Sequence, residues 1–300
     1  MQIKYIDFFG KRWIFQGLSI ILILISLISF TTKGINFGLE FTGGNQIQIT
    51  STNAVNIELI RDALDGSEIK AVVKNIGNDK SVVISTQKPL PEKLLQEIIL
   101  LNKNTILDKS EYIGPQIGSE LAQKGIVAVL VSVLCTMLYI AIRFEYRLAV
   151  SSAIALAHDP IIIMGIFSIF GISFDLTTLA ALLAVVGYSL NDTIVVFDRA
   201  RENFLKPKNE EMSPASIMNN SISQTLSRTL ITSFLTFTAI LVLYIFGGPS
   251  LQSFALCMLL GVIAGTYSSI MIAGNLAVQM GVQRSNFIRK SLSDKYADRP

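Results

Sequence analysis

Six long runs of apolar residues, separated by polar segments, set the pattern of this chain. They lie at about residues 13–31, 125–142, 148–170, 177–197, 230–246 and 251–279. The hydrocarbon core of a bilayer is roughly 30 Å thick, and about 20 helical residues are needed to cross it. The pattern therefore predicts an α-helical integral membrane protein with six spans.

The composition agrees with this prediction. Hydrophobic residues make up 51% of the chain and charged residues 16%, whereas about 25% of the residues in an average soluble domain are charged. Mean hydropathy is +0.53. Because the apolar residues fall into discrete blocks, a single large core does not account for them, and a soluble cytoplasmic enzyme is excluded.

The long polar segment between the first two runs, residues 33–124, has the pattern of a folded domain. Residues 45–51, 69–76 and 80–86 are rich in β-branched side chains and partly alternate, which is typical of strands. Helical patterns occupy about residues 55–64 and 91–101. The order βαββα predicts a small α/β domain.

Positive charge is distributed unevenly over the loops, and this distribution predicts the orientation. Lys and Arg flank alternate spans at Lys4, Lys11, Arg12, Arg143, Arg147, Arg199, Arg201, Lys206, Lys208, Arg284, Arg289, Lys290, Lys295 and Arg299. The short loops on the opposite side, 171–176 and 247–250, contain neither residue. Since cytoplasmic loops carry the excess of Lys and Arg, and long loops translocate largely regardless of charge, both termini are expected in the cytoplasm.

The predicted organisation has four parts. Residues 1–32 form the cytoplasmic N-terminus and the first span, which we interpret as an anchor because no cleavage site follows it. Residues 33–124 form the extracytoplasmic domain. Residues 125–279 form the other five spans, with a cytoplasmic loop at 199–227, and residues 280–300 form a basic cytoplasmic tail. Within that loop, Ile217 and Ile222 have roughly helical spacing, so residues 214–225 are either a helix along the membrane surface or a solvated loop.

Metal, cofactor and nucleic-acid chemistry are not expected. Cys135 and Cys257 both fall inside apolar runs, and His158 is the only histidine, so no cluster of metal ligands is indicated. A net charge of +3 provides no basic field for nucleic acid.

Charged side chains inside the apolar runs are the candidate functional groups, because insertion of each costs about 2.5–3.5 kcal/mol. Asp192 lies in the fourth run between Asn191 and Thr193, whose side chains are predicted to hydrogen-bond its carboxylate, and Asp159 lies in the third run. Arg228 opens the fifth run, on the same side of the membrane as Asp192. A carboxylate near a fixed cation fits a proton relay. The alternatives are a static ion pair and, for Arg228, simple anchoring at the interface.

Small residues in the spans indicate helix packing. Gly261 and Gly265 form a GxxxG pattern in the sixth run, which permits close approach of helices, and Gly187 is a further candidate in the fourth. Ser189 with His158 and Asp192 supplies the residue types of a serine triad, but no GxSxG motif surrounds the serine. We therefore expect no enzymatic activity.

Several sequence blocks resemble those of the SecD/SecF family of protein-export membrane proteins, within the resistance-nodulation-division (RND) superfamily. They are FGLEFTGGNQIQI at 37–49, YIGPQIGSEL at 112–121, RFEYRLAVSSAIALAHD at 143–159, GYSLNDTIVVFDRARENF at 187–204, QTLSRTLITS at 224–233 and LYIFGGPSLQSFAL at 243–256. One departure is Glu40, which stands where the family pattern has Asp.

The resemblance implies a six-span half of a twelve-span RND-type bundle, with a ferredoxin-like domain outside the membrane. It implies SecD as the other half, the SecYEG channel and possible YajC and YidC subunits as neighbours, and unfolded preprotein as the client. It further implies a bacterial inner membrane, with its lipids around the spans, and export driven by the proton motive force. Asp192 and Arg228 match the family's proton-path positions. The role of Asp159 is less defined.

Two other functions remain open at this point. One is an RND-type half-transporter for small molecules or lipids, although a domain of this size leaves little room for a drug-sized cleft. The other is a membrane assembly scaffold that transports nothing, in which the charged residues of the spans would be dispensable.

Overall fold

Six helices of membrane-spanning length are present in the computed structural model, which describes residues 7–67, 69, 71–76, 78–86, 88–101 and 105–287. The spans are α1 (Arg12–Thr32), α5 (Pro115–Arg143), α6 (Tyr146–Phe170), α7 (Leu176–Leu205), α8 (Pro214–Phe246) and a sixth that covers Leu251–Gln279. The six predicted spans are confirmed. Lys4, Arg289, Lys290, Lys295 and Arg299, which entered the orientation prediction, lie outside the described residues.

The sixth span is not a uniform α-helix. It consists of α9 (Pro249–Tyr267), a π-helical turn (Ser268–Ala273) and α10 (Gly274–Gln279). A π-helix closes its hydrogen bonds on the fifth residue rather than the fourth, so the turn is widened. The widened turn lies in the buried part of the bundle, where Ser268 and Ser269 are fully buried.

The domain between α1 and α5 is a four-stranded antiparallel sheet covered by two helices. Its elements follow a short helix α2 (Leu39–Thr42) and are β1 (Gly44–Ser51), α3 (Ile57–Asp65), β2 (Ala71–Ile76), β3 (Asn78–Thr86), α4 (Glu92–Leu101) and β4 (Thr105–Ile113). The strand order is β2-β3-β1-β4, and every pairing is antiparallel. This βαββαβ arrangement is the expected ferredoxin-like fold.

The core of this domain lies between the sheet and its helices. Alternate residues of the central strands, such as Ile47, Ile49 and Ile84, are buried against Ile60 of α3 and Ile98 of α4. The alternation follows from the two-residue period of a strand. The side chain of Asn56 caps α3 by accepting from the backbone N–H groups of two first-turn residues.

The sequence pattern did not predict β4. It is an edge strand that pairs only with β1 among the described strands, and seven of its nine residues are exposed. Charged residues such as Asp108, Lys109 and Glu111 therefore replace the apolar alternation by which strands are found. Charged side chains on an edge strand also discourage pairing with other chains.

Gly43 and Gly44 lie where the chain enters the ferredoxin-like domain, next to the residues at which it leaves. Both have positive φ, at 68° and 133°. A Cβ on Gly43 would lie 2.8 Å from Cα of Pro115, the first residue of α5, and a Cβ on Gly44 would collide with the Thr86 carbonyl oxygen. Only glycine allows both this conformation and this approach of backbones.

A short backbone ladder joins the segment after α1 to the loop between α6 and α7. The Phe174 N–H donates to the Asn36 carbonyl and the Gly38 N–H donates to the Phe174 carbonyl, both at 2.8 Å. The rings of Phe37 and Phe41 pack on Phe174. The base of the ferredoxin-like domain is thus attached to the α6–α7 hairpin at its connecting loop.

Helix α7 lies at the centre of the bundle and contacts α5, α6, α8 and α9. The predicted cytoplasmic loop at 199–227 is largely helical: α7 continues to Leu205, and α8 begins at Pro214. Ser213 caps α8, and a proline at the first position of a helix loses no intrahelical hydrogen bond. The helix of the second span likewise begins ten residues before the apolar run, at Pro115.

Candidate functional site

Asp192 is a buried carboxyl group within the fourth membrane span. It lies on α7 and its exposed fraction is 3%. Its Oδ2 atom has no hydrogen-bond partner among the described residues. The side chains that act on this carboxyl are Ser233 and Arg228, both on α8. A buried polar atom without a partner is costly, so this group is suited to bind a proton or another partner.

Hydroxyl groups surround Ser233 and connect three spans near this carboxyl. Tyr188 of α7 donates to Ser233 Oγ at 3.1 Å, and Ser233 Oγ lies 2.7 Å from Oγ1 of Thr266 on α9. Thr266 in turn donates to the Val262 carbonyl. The cluster places exchangeable protons next to Asp192.

The structure brings Arg228 into electrostatic range of Asp192 but not into a direct ion pair. No nitrogen of the guanidinium lies within 4.0 Å of a carboxylate oxygen in the described part of the chain. Arg228 is exposed on the surface of α8. Asn191 is exposed on α7 and forms no hydrogen bond to its neighbour Asp192. Thr193 bonds the Ser189 carbonyl and the Ser269 hydroxyl instead. Of the residues predicted to support the carboxyl, only Arg228 acts on it.

Asp159 belongs to a separate buried network. Its exposed fraction is 1%, and that of His158 is 4%. Oδ1 of Asp159 lies 2.9 Å from Nδ1 of His158. Oδ2 accepts hydrogen bonds from Ser189 of α7 at 2.6 Å and from Ser268 of the π-helical turn at 2.9 Å. The carboxyl therefore joins three spans.

The other side of the histidine connects this network to α1. Nε2 of His158 lies 3.1 Å from Oγ of Ser19, and Ser19 Oγ lies 3.1 Å from the Tyr267 hydroxyl. Tyr267 donates to the Phe15 carbonyl at 2.7 Å, and its ring stacks on the imidazole. Ser19, Tyr267 and Ser268 were not found from the sequence, because single hydroxyl residues in apolar helices carry no distinguishing pattern.

The triad residue types noted in the sequence do not form a catalytic triad. Ser189 donates to Asp159, whereas His158 contacts the opposite oxygen of the same carboxyl and lies on the far side from the serine. A nucleophilic serine needs its base within hydrogen-bond reach, and that geometry is not present here.

The glycines predicted at helix contacts differ in their surroundings. Gly261 and Gly265 of α9 face Val185 and Ser189 of α7, and a Cβ at either position would lie within 3 Å of the opposing side chain. Gly187 is exposed, and a Cβ there would meet no atom within 4 Å among the described residues. The close approach of α7 and α9 thus depends on the GxxxG pair and not on Gly187.

Comparison with known proteins supplies the family. Residues 95–283 match the family described as protein export membrane protein SecD/SecF, C-terminal, and residues 28–55 match the SecD/SecF GG motif. The chain belongs to the SecD/SecF family. The GG match includes Gly43 and Gly44, whose positive φ angles and close backbone contacts are described above. The resemblance stated from the sequence blocks is confirmed.

Individual relatives cover nearly the whole chain. The identity to protein translocase subunit SecF of Vibrio alginolyticus is 44%, over 93% of this chain and 91% of the relative. The identity to protein translocase subunit SecF of Escherichia coli O157:H7 is 41%, over 99% and 94%.

A solved structure confirms the predicted RND-type fold of this family member. The crystal structure of SecDF, a translocon-associated membrane protein from Thermus thermophilus, has a TM-score of 0.85 at 35% identity. The match covers 93% of this chain and 39% of the SecDF chain. The present chain therefore corresponds to well under half of that protein.

Proposed function

We propose that this chain is a SecF-type accessory subunit of a Sec protein translocase in a bacterial inner membrane. In this proposal it acts with SecD and uses the proton motive force to promote export of preproteins. The observation that carries the proposal is Asp192, a buried carboxyl with an unpartnered oxygen on the central helix of the bundle.

The chemistry of this carboxyl suits energy coupling. A proton that moves down the membrane potential releases about 2.3 kcal/mol per 100 mV. Protonation of Asp192 removes the charge on which Arg228 acts, so the attraction between α7 and α8 differs between the two states. A change in helix packing within the membrane can then follow each proton. The proton gradient can thereby act on unfolded preprotein that emerges in the compartment outside the membrane.

SecD is the partner that fits the uncovered surface of α8. This helix exposes Arg228 and a row of large apolar residues that includes Ile231, Phe234 and Leu235, with Phe234 68% exposed. A second six-span half on this face would place Asp192 and Arg228 in the interior of a twelve-span bundle. We further propose that the complex works beside SecYEG, with YajC and YidC as possible neighbours, and that membrane lipids cover the remaining apolar surface.

The positive-inside distribution supports an orientation with both termini in the cytoplasm. The ferredoxin-like domain then faces the compartment into which the preprotein emerges. This placement allows the domain to contact the client chain and to oppose its backsliding. No catalytic role is proposed for any residue.

The test is preprotein translocation into inverted inner-membrane vesicles that contain the complex, with and without a proton gradient. Asp192→Asn should remove the stimulation by the gradient while the level of inserted protein is unchanged. Asp198→Asn is the matched control, since it makes the same change on the same helix in a partly exposed residue that pairs with Arg143.

The outcomes separate the alternatives. Full stimulation by the gradient in Asp192→Asn refutes the proposal. A scaffold predicts that outcome, and that Gly261→Leu is harmful instead. A half-transporter for small molecules or lipids predicts normal preprotein translocation by the variant together with loss of gradient-driven solute uptake.

A further inference from the structure

The hydrogen bonds around His158 determine how many protons the buried pair holds. The Tyr267 hydroxyl donates its proton to the Phe15 carbonyl, so its contact with Ser19 requires Ser19 to be the donor. Ser19 has one hydroxyl proton, and its contact with Nε2 of His158 therefore requires Nε2 to carry a proton.

The contact between Nδ1 of His158 and Oδ1 of Asp159 then needs a second proton, because neither atom can donate without one. That proton resides on the imidazole or on the carboxyl. In both cases the pair is electrically neutral as a whole, and all its polar atoms have partners. A neutral, fully hydrogen-bonded pair has a lower free energy of burial in the membrane than a charged or unpaired group.

The same carboxyl holds the widened turn of the sixth span. Ser268, the first residue of the π-helical turn, donates to Asp159, and the next residue, Ser269, lies 2.8 Å from Oγ1 of Thr193. Ser269 also donates to the Ser189 carbonyl. Two consecutive serines of the sixth span thus bind a carboxyl of α6 and the face of α7 that adjoins Asp192.

We propose that His158 and Asp159 form a positioning pair, which keeps its shared proton throughout the transport cycle and anchors the π-helical turn against α7. The titratable groups in contact with the pair are limited to Tyr267 among the described residues; the other side chains that face it are hydroxyls of Ser19, Ser189 and Ser268. In the part of the chain that the structure describes, the pair has no charged partner that proton transfer would release. This sets it apart from Asp192, on which Arg228 acts.

Asparagine at position 159 distinguishes positioning from proton transfer. In Asp159→Asn the amide N–H can donate to Nδ1 of His158, and the amide oxygen can accept from Ser189 and Ser268. Every hydrogen bond of the neutral pair is then reproduced, whereas the carboxyl can no longer exchange a proton. Asp159→Ala removes all these bonds, whereas Ser268→Ala removes the bond from the π-helical turn to Asp159 together with a local bond to the Gly265 carbonyl.

The test has two readouts, of which the first rests on the proposed function and the second does not. The first is gradient-stimulated preprotein translocation into inverted vesicles. The second is disulfide cross-linking of Gln16→Cys with Gln279→Cys in full-length protein in the membrane, with Cys135 and Cys257 replaced. The Gln279 side chain, which follows the π-helical turn, donates to the Gln16 side chain of α1 at 3.0 Å.

Asp159→Asn should retain both stimulated translocation and the cross-link, whereas Ser268→Ala and Asp159→Ala should lose the cross-link and reduce translocation. Loss of translocation in Asp159→Asn with the cross-link intact would overturn the inference in favour of proton transfer. An unchanged cross-link in both Ala variants would also overturn it, because no anchoring would exist.

Recovery of Asp159→Ala from membranes is not essential to the test, since Ser268→Ala removes only the two hydrogen bonds of one hydroxyl, to Asp159 and to the Gly265 carbonyl, and Asp159→Asn removes none. The result for Asp192→Asn decides the proposed function separately. If that variant keeps its stimulation while the cross-links behave as expected, the anchoring role stands and the proton-driven role does not.

Discussion

Substitution of Gly261 by alanine tests whether the packing of α7 against α9 depends on a missing side chain. The added Cβ would lie 2.7 Å from Cγ1 of Val185 and closer still to Cγ2. Carbon atoms in good contact are about 3.5–4.0 Å apart, so the two helices must separate by at least about 1 Å. Overpacking of this kind costs roughly 1–3 kcal/mol.

Alanine also favours the helical conformation over glycine by about 0.8–1.0 kcal/mol, which opposes the clash. Gly187→Ala on α7 is the matched control, because a Cβ at Gly187 would meet no atom within 4 Å among the described residues. The difference between the free energies of unfolding of the two variants therefore isolates the clash. We expect Gly261→Ala to be the less stable of the two by about 1–3 kcal/mol.

The assay is unfolding of the purified protein in mild detergent by added dodecyl sulfate, followed by circular dichroism. Val185→Ala removes both Cγ atoms that the new Cβ would meet, so the double variant should recover most of the stability that Gly261→Ala loses. Equal stabilities of Gly261→Ala and Gly187→Ala, or the absence of recovery in the double variant, would refute the packing argument.

Two further predictions concern the base of the ferredoxin-like domain. Burial raises the pKa of Glu40, and the charge of Asp175 adds to this, so the stabilisation from the protonated group is present at acid pH and is lost as the pH rises above its ordinary value of 4.5. Glu40→Gln should therefore flatten the fall in melting temperature with rising pH, as measured by scanning calorimetry; an unchanged pH profile would contradict this. Gly44→Ala should lower the melting temperature more than Gly34→Ala, because both have positive φ but only Gly44 also has backbone in the way; equal effects would show that the close contact is unimportant.

The six spans and most elements of the ferredoxin-like domain could be predicted from the sequence, because their patterns of apolar residues are long and regular. Within 199–227, the sequence pattern leaves both a surface helix and a solvated loop open for residues 214–225, and the structure shows a helix that is continuous with the fifth span. The ambiguity has a physical cause in Pro207 and Pro214. Prolines between polar residues are typical of loops, yet Pro214 occupies the first position of α8, where its missing N–H has no cost. The helix therefore starts sixteen residues before the apolar run at 230.

The charged candidates were found from the sequence, but their surroundings were not. Asp159 and Asp192 stand out because carboxyls are rare in apolar runs. Their hydroxyl partners lie on other helices, Ser189 and Ser268 for Asp159 and Ser233 for Asp192, and only helix packing brings them together. The π-helical turn left no signal either, since residues of a wholly apolar helix show no period from which an extra residue could be detected.

Helix α7 and the backbone hydrogen bonds of Phe174 connect Asp192 to the ferredoxin-like domain. Helix α7 has 30 residues, or about 45 Å at 1.5 Å per residue, and it carries Asp192 in its second half. Its first turn is capped by Asp175, and the preceding residue, Phe174, is bonded by its backbone to both Asn36 and Gly38. The chain then passes through α2 directly to the GG motif.

The GG motif also contacts the second connection of the domain, because a Cβ on Gly118 of α5 would lie 2.8 Å from the Gly43 nitrogen. The chain segments that enter and leave the domain are therefore in contact at one point, and that point is attached to α7 by the Phe174 ladder. A flexible tether would absorb a displacement of α7. This arrangement connects the start of α7 directly to the base of the domain. In the proposed function, a shift of α7 on protonation of Asp192 would therefore move the ferredoxin-like domain or break the hydrogen bonds of Phe174.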